Sequence, residues 1–396
     1  MRIWHKGLDG VHAFYVNGLL RSLFMSMTSI FLPVFVYLQG IKYFTEVSKS
    51  LLLVAVYFIF VRIVVGVVVF PISRFVENQG FRKSISLSII FLIGHVLTLY
   101  MAPQNIWWVV ASAVCGAIQI PLYWLSRDSA LSQDIQASKM GSKMSYVYVL
   151  EGIAGLTGPF VGGAIILNYG FPALFIVSIC ILFLSTIPLW WMPPHTHKNG
   201  VSLKGFWLFV KDKRYLHHVV ANFGVAINDY GNGAIWPLII FLYGFSSEKL
   251  GMVYSAVALV AIGVQYIAGS WFDKLRARKD YADEGVYGFA VVGVSLSWVV
   301  RFFISTVWQI VPIDMVRQLF VSVHNDFFSD YIHLGGRRMG SIAFWVYLEI
   351  IYSLGGIVIF GLMAIGVYLG IWKELVIGSI ALWSLATIVI ARESNL

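Results

Sequence analysis

The stretch SRDSALSQDIQASKMGSKMSYVYVLEGIAGLTGPFVGG, residues 126–163, recurs in diverged form at residues 323–361 as VHNDFFSDYIHLGGRRMGSIAFWVYLEIIYSLGGIVIFG. Each copy is a polar loop between two apolar segments, with an acid about two and a half helical turns into the second segment. The two acids are Glu151 and Glu349, and Asp128 of the first copy matches Asp326 of the second. Two copies of one unit in one chain predict two structural halves related by pseudo-symmetry.

Composition places the chain in a membrane. The protein has 396 residues, of which 59% are hydrophobic and 12% charged, and its mean hydropathy is +0.80. Soluble domains carry about 25% charged residues, and a bilayer takes roughly 20 apolar residues per helix. We therefore predict an all-α integral membrane protein with twelve transmembrane helices in two pseudo-symmetric six-helix bundles, and no room for a soluble catalytic domain. The predicted helices are residues 11–37, 49–72, 83–101, 105–126, 143–168, 171–192, 215–243, 249–271, 285–305, 307–329, 340–366 and 370–391.

The distribution of basic residues predicts the topology. The predicted domains are an N-terminal bundle at 1–192, a linker at 193–214 and a C-terminal bundle at 215–396. Of the 28 Lys and Arg, 20 fall in the termini, the linker and the loops on the same side of the membrane. The positive-inside rule therefore places both termini and the linker in the cytoplasm of a multi-pass protein of the cytoplasmic (inner) membrane. The net charge of +9 reflects this topology, so we expect no nucleic acid partner.

The loops after the second and eighth predicted helices repeat each other as SRFVENQGFRK (73–83) and GSWFDKLRARK (269–279). They resemble the signature of the major facilitator superfamily: Gly, three residues, Asp, a basic residue, then Gly-x-Arg-Arg/Lys. The first copy departs from it, with Ser73 at the first glycine, Glu77 in place of the aspartate and Asn78 in place of the basic residue. In the second copy, Arg276 stands where a glycine is usual. The fifth predicted helix carries a Gly-Pro-x-x-Gly-Gly motif similar to one that the family associates with antiporters. In this helix, Ala154 stands where a further glycine is usual, with Gly155 beside it. The residues assigned to the motifs are Glu77, Gly80, Arg82, Lys83, Gly269, Asp273, Lys274, Arg278 and Lys279 in the loops, and Gly155, Gly158, Pro159, Gly162 and Gly163 in the fifth helix.

Physical reasons give these motifs a role independent of the resemblance. The loop acids can lie near a helix N-terminus of the other half, where the helix dipole favours negative charge. The loop basic residues can pair with acids at the cytoplasmic ends of helices. Together these contacts predict a cytoplasmic latch that holds the two halves together in one state and breaks in the other. The alternative is interfacial charge that only fixes topology. The small residues of the fifth helix allow a neighbouring backbone to approach and slide, or else they serve static packing.

Charged residues within the predicted helices are the candidate site. A charge near the membrane centre costs roughly 2.5–3.5 kcal/mol unless it faces a cavity or a partner. We predict that five such residues share one cavity, where substrate and proton compete for the same charges. The alternative is a set of permanent ion pairs, such as Arg21 with Glu151. Arg301 and Asp314 are assigned instead to the outer interface, which long side chains reach by snorkelling. The five are Arg21, Arg62, Glu151, Asp229 and Glu349.

The sequence favours a secondary active transporter that moves a small solute by alternating access, with proton coupling and a slight preference for efflux. One alternative is a membrane-embedded enzyme that acts on a lipid-linked substrate through His324 and Asp326, and another is a transporter-like sensor without flux. No nucleotide-binding loop or metal-ligand set is evident, so we expect no cofactor and no metal. The expected partners are the solute, protons and the lipid bilayer, and we expect a monomer.

Overall fold

The computed structural model describes residues 7–134, 140–191, 200–276, 283–304, 306–339 and 341–392. Within these ranges, the side chains of 7–12, 14, 131–134, 140–151, 264–276, 283, 284, 307, 330, 334, 337–339, 341, 391 and 392 lie outside the description. The described chain is almost entirely helical. Its α-helices are α1 (Gly7–Thr28), α2 (Leu32–Phe44), α3 (Val47–Gln79), α4 (Phe81–Met101), α5 (Trp107–Asp134), α6 (Met140–Thr186), α7 (Leu203–Lys211), α8 (Leu216–Tyr230), α9 (Trp236–Leu242), α10 (Ser247–Arg276), α11 (Asp283–Phe302), α12 (Val307–Met339), α13 (Ser341–Leu369) and α14 (Trp372–Ala386).

Eight continuous helical stretches in the described residues are long and apolar enough to cross a bilayer. One of them, Gly152–Trp191, has 40 residues, about twice the length of one crossing. It corresponds to two predicted helices, and α6 contains a non-helical break at Gly170, with φ of +77°, where the chain turns. The membrane character of the fold is confirmed, and the number of twelve crossings stays a prediction.

The first predicted helix (11–37) corresponds to one candidate crossing, Tyr15–Phe44, and this crossing is interrupted around residues 29–31, between α1 and α2. Pro33 lies in the first turn of α2, where a residue without an N–H starts a helix but does not continue one. Predicted helix 215–243 is likewise divided. Its α8 and α9 flank a π-helical turn, Gly231–Ile235, in the polar, glycine-rich run that follows Asn228.

The predicted linker contains a short helix, α7, that its polar composition does not reveal. The Ser202 side chain caps it by accepting a hydrogen bond from the Gly205 N–H at 3.1 Å. Two of its aromatic residues, Phe206 and Phe209, are buried against Tyr347 of α13. The Tyr347 hydroxyl also donates to the Ser202 carbonyl at 3.1 Å, so the linker is fixed to the bundle.

Two long helix pairs join the parts of the chain before and after the linker. Helix α3 packs along α13, and α6 packs along α10. Apolar side chains bridge the same boundary: the Phe58 ring stacks on Phe360 at 4.6 Å, and the Tyr37 and Phe241 rings meet edge to face at 6.3 Å. These contacts enclose a central space between the two parts.

Candidate functional site

A central cavity of about 800 Å³ lies between the two parts of the chain. Cavities of roughly 300–1,000 Å³ accommodate small organic molecules. Its wall is largely apolar and aromatic, with a few charged side chains drawn from helices on both sides. Four of the five predicted site residues line it, and the side chain of the fifth, Glu151, lies outside the described residues. The four are Arg21, Arg62, Asp229 and Glu349.

An ion pair crosses this cavity wall from α3 to α13. The Arg62 Nη1 atom lies 3.1 Å from Oε1 of Glu349, and the two side chains are 10% and 15% exposed. The guanidinium also faces the rings of Tyr230 and Tyr352, at 4.8 Å and 5.6 Å from their centroids. A Cβ at Gly356 would lie 3.0 Å from Arg62 Cγ, so this glycine of the second repeat leaves room for the arginine. The pair therefore links the two parts of the chain where they meet.

Asp229 is a second acid of the cavity, at the last turn of α8. Its side chain is exposed to the cavity, and its Oδ2 accepts a hydrogen bond from the Tyr352 hydroxyl at 3.1 Å. The π-helical turn that follows departs from the regular hydrogen-bond pattern of an α-helix. Within this turn, the Asn232 carbonyl oxygen accepts a hydrogen bond from the Tyr254 hydroxyl at 3.0 Å. Tyr352 thus touches both the Arg62 pair and Asp229, a link that the sequence did not predict.

Arg21 faces the cavity from α1 and is held by neutral partners. Its guanidinium donates to the Ser88 hydroxyl at 3.2 Å and to Oε1 of Gln119, and it stacks on the Tyr123 ring at 3.6 Å from the centroid. Among the described side chains, Arg21 makes no ion pair. The cavity therefore presents the cation Arg21 and the acid Asp128 from the first part of the chain, and the acid Asp229 from the second.

The glycine motif of α6 lies at two close helix contacts. A Cβ at Gly162 would lie 2.9 Å from Phe31 Cε2, and one at Gly163 would lie 2.8 Å from the Ser247 carbonyl oxygen. Gly158 similarly faces Ser26 of α1, and Gly155 approaches Ala258 of α10. Pro159 is buried in the same helix. The motif thus allows α6 to approach both α1 and α10 closely. That the helices slide at these contacts stays a prediction.

The loop motif after α3 is described in part. Gly80 has a φ of +82° and a ψ of 167° where α3 turns into α4, a conformation that needs glycine. Glu77 is 8% exposed at the end of α3, Arg82 lies in the first turn of α4, and Lys83 donates to Gln79 Oε1 at 3.0 Å. In the second copy, the surroundings of Gly269, the side chains of Asp273 and Lys274 and the whole of Arg278 and Lys279 lie outside the description. The latch therefore stays a prediction.

The prediction that Arg301 and Asp314 reach water by snorkelling is wrong. They are 2% and 5% exposed, and two nitrogens of the guanidinium donate to Asp314 Oδ1 at 2.6 and 2.9 Å. The rings of Trp236 and Trp298 lie on the guanidinium at 4.2 and 4.3 Å from their centroids, and Trp236 Nε1 donates to Asp314 Oδ2 at 2.8 Å. The two indoles therefore cover charges that lie near helix ends. A Trp three residues before Arg301 on α11 is the sequence signal that would have indicated this.

Two buried or half-buried histidines, His95 and the His324 considered in the enzyme alternative, lie beside polar groups of the protein itself. His95 Nδ1 lies 2.8 Å from the Ser112 carbonyl oxygen. The ring nitrogens of His324 lie 3.2 Å from Asn325 Oδ1 and Thr387 Oγ1, so neither nitrogen is positioned to act on a substrate. Within the described residues, no group of three His, Cys, Asp or Glu is arranged to hold a metal ion.

An apolar, multi-pass helical bundle with a charged cavity between its two parts has the architecture of a membrane transporter. The sequence matches the family model of the Major Facilitator Superfamily over residues 14–353, and the chain belongs to this family. It is a multi-pass membrane transporter rather than an enzyme.

Solved structures share the fold at low sequence identity. The E. coli fucose:proton symporter FucP superposes with a TM-score of 0.66 at 12% identity, over 97% of this chain and 98% of that chain. The peptide transporter POT superposes with a TM-score of 0.70 at 10% identity, over 100% of this chain and 96% of that chain. A search of curated protein sequences finds no match. At these identities the likeness to the solved structures establishes the fold alone.

Proposed function

We propose that the protein is a proton-coupled secondary transporter that binds a small zwitterionic organic solute in the central cavity. The observation that carries the proposal is the Arg62–Glu349 pair, which joins the two parts of the chain at the wall of that cavity. Alternating access requires contacts between the two parts to form on one side and break on the other. An ion pair whose acid can take up a proton is suited to couple such a change to protons.

Protonation of Glu349 removes the negative charge that holds Arg62. The guanidinium then loses its only ion-pair partner among the described residues and becomes available to an anionic group of the solute. Proton and solute thereby influence the same contact between α3 and α13. The fold relatives include a protein described as a fucose:proton symporter, which supports proton coupling in this fold without assigning it to this chain.

The opposite charges at the cavity wall support a zwitterionic solute. Arg21 presents a cation held by neutral groups, and Asp229 presents an acid held by a tyrosine hydroxyl. A solute with a carboxylate and an ammonium group would satisfy both, while Phe35, Phe58 and Phe175 offer an apolar wall for its body. We place the transporter in the inner membrane with cytoplasmic termini. We slightly favour efflux as the direction of transport.

Purified protein in proteoliposomes that contain the pH dye pyranine tests the proposal. Zwitterions (amino acids, dipeptides, betaines) are added outside, with glucose, benzoate and choline as controls. We expect at least one zwitterion, and none of the controls, to move protons. Glu349→Gln should abolish the linked proton movement and retain exchange of labelled solute for unlabelled solute, because the cavity is kept.

Three results would contradict parts of the proposal. Proton movement in Glu349→Gln equal to that of the unchanged protein would remove the coupling role of this acid. A response only to singly charged or uncharged solutes would exclude the zwitterion. Binding of a solute without flux would favour a sensor.

A further inference from the structure

A second cavity of about 450 Å³ lies beside the central one, and the proposed function does not use it. Its walls come from α1, α6, the π-helical turn, α10, α11 and α12. The two cavities share Ser26, Ser29 and Gly155, so they adjoin at the contact between α1 and α6. At one end of the second cavity lie two arginines, Arg301 and Arg317, with one acid, Asp314.

Arg317 is a buried cation without a carboxylate of its own. It is 3% exposed, and its one hydrogen bond to a described residue goes to Asn228 Oδ1 at 3.0 Å, an oxygen that also accepts from Trp298 Nε1 at 2.9 Å. Asp314 is already engaged by Arg301 and by Trp236. Among the described residues, no acid lies within ion-pair distance of Arg317. A buried guanidinium without an ion-pair partner destabilises the fold unless an anion binds to it.

Two donors of this cluster have no partner in the described structure, namely Nε of Arg317 and Nη1 of Arg301. Both residues line the second cavity. A buried donor of a charged group costs free energy when it has no hydrogen-bond partner. A guanidinium can bind a carboxylate through two parallel hydrogen bonds. The two arginines carry two positive charges and Asp314 one negative charge, and the next acid that acts on Arg317, Asp229, makes no described ion pair with it.

The remaining wall indicates the body of the ligand. Along α10, the cavity is lined by small and apolar side chains, Val257, Ala258, Ala261 and Ile262. Asp326 also lines the cavity, but it lies nine residues beyond Arg317 on α12, which is about 13 Å along a helix. A ligand with its charge at Arg317 therefore keeps its charge away from that acid. The volume exceeds what a bare halide fills and suits a compact organic group.

We propose that this second cavity is a binding site for a small organic monocarboxylate. Its carboxylate lies at Arg317 and Arg301, and its apolar body lies against α10. The site is separate from the zwitterion site of the central cavity and does not depend on proton coupling.

The test uses the full-length protein in detergent and labelled benzoate at constant ionic strength. We expect saturable binding of benzoate that uncharged benzyl alcohol does not displace. Arg317→Gln should weaken this binding at least about tenfold, because the charge-assisted contact is lost. Ala261→Leu, which fills the apolar wall and leaves all charges in place, should weaken it as well. Arg21→Gln is the matched control for the central cavity and should leave benzoate binding unchanged.

A folding readout accompanies the binding measurement. Arg317→Gln removes a buried charge that lacks an acid partner, so without benzoate it should melt at or above the temperature of the unchanged protein. Benzoate binding that survives Arg317→Gln, that is lost in Arg21→Gln, or that benzyl alcohol displaces would overturn the proposal. Displacement by chloride at concentrations comparable to benzoate would overturn the organic nature of the ligand. None of these outcomes depends on transport, so the proposed function is tested separately.

Discussion

Substitution of Asp314 by Asn tests whether the Arg301–Asp314 pair is a buried element of the bundle. The two side chains are 2% and 5% exposed, and asparagine keeps the shape and an oxygen that can accept from Trp236 Nε1. The substitution therefore mainly removes the negative charge and leaves the guanidinium enclosed between two indoles. Removal of one partner of a buried pair costs about 3–5 kcal/mol in unfolding free energy, whereas an exposed pair contributes about 0–1 kcal/mol. The predicted loss for Asp314→Asn is accordingly about 3–5 kcal/mol.

A double-mutant cycle isolates the pair from the rest of the site. Arg301→Gln, Asp314→Asn and the double variant are unfolded with SDS in dodecylmaltoside micelles and followed by far-ultraviolet circular dichroism. The double variant leaves no unpaired charge at these two positions, so it should lose less unfolding free energy than Asp314→Asn alone. We expect a coupling energy of at least about 2 kcal/mol. A loss below about 1 kcal/mol for Asp314→Asn, or additive single effects, would refute the assignment of a buried pair and indicate a solvent-exposed one.

Three further substitutions probe local geometry by the same unfolding measurement. Gly80→Ala forces a side chain into a conformation that is essentially restricted to glycine and should cost about 1–3 kcal/mol, and a neutral result would contradict the turn between α3 and α4. Gly162→Leu should cost about 1–3 kcal/mol because its side chain meets Met27 and Phe31, and unchanged stability would mean that α1 and α6 do not approach so closely. Ser202→Ala removes the cap of α7 and should cost about 0.5–2 kcal/mol, with Ser202→Thr as the control that keeps the hydroxyl and should keep most of the stability.

The class of the protein was predictable because composition and hydropathy act over the whole chain. The fraction of apolar residues requires a membrane, and the matched loops after α3 and α10 point to the family. Local breaks were harder to predict. The division between α1 and α2 depends on Pro33, which the sequence marks, and on packing, which it does not. The short helix α7 depends on a serine cap and two buried aromatics within a polar segment.

The candidate site was predicted as a set of residues but not as a set of contacts. The free-energy cost of a charge within the membrane indicates by itself that Arg62 and Glu349 face a cavity or a partner. That they face each other depends on the crossing of α3 and α13, whose paired residues are 287 positions apart in the chain. The same holds for Tyr352, which lies one turn from Glu349 and contacts Asp229. Arg301 does lie near a helix end, but its exposure could not be predicted because the two indoles that cover it come from another part of the fold and from its own helix.

The central claim is that protonation of the Arg62–Glu349 pair shifts the arrangement of the two parts of the chain. The direct measurement is the distance distribution between one spin label on each part, recorded at pH 5.5 and pH 7.5 (roughly the range over which buried carboxyls exchange protons). We predict that the distribution of the unchanged protein depends on pH, and that Glu349→Gln shows the acidic distribution at both values. An equal pH response in the unchanged protein and in Glu349→Gln would contradict the claim.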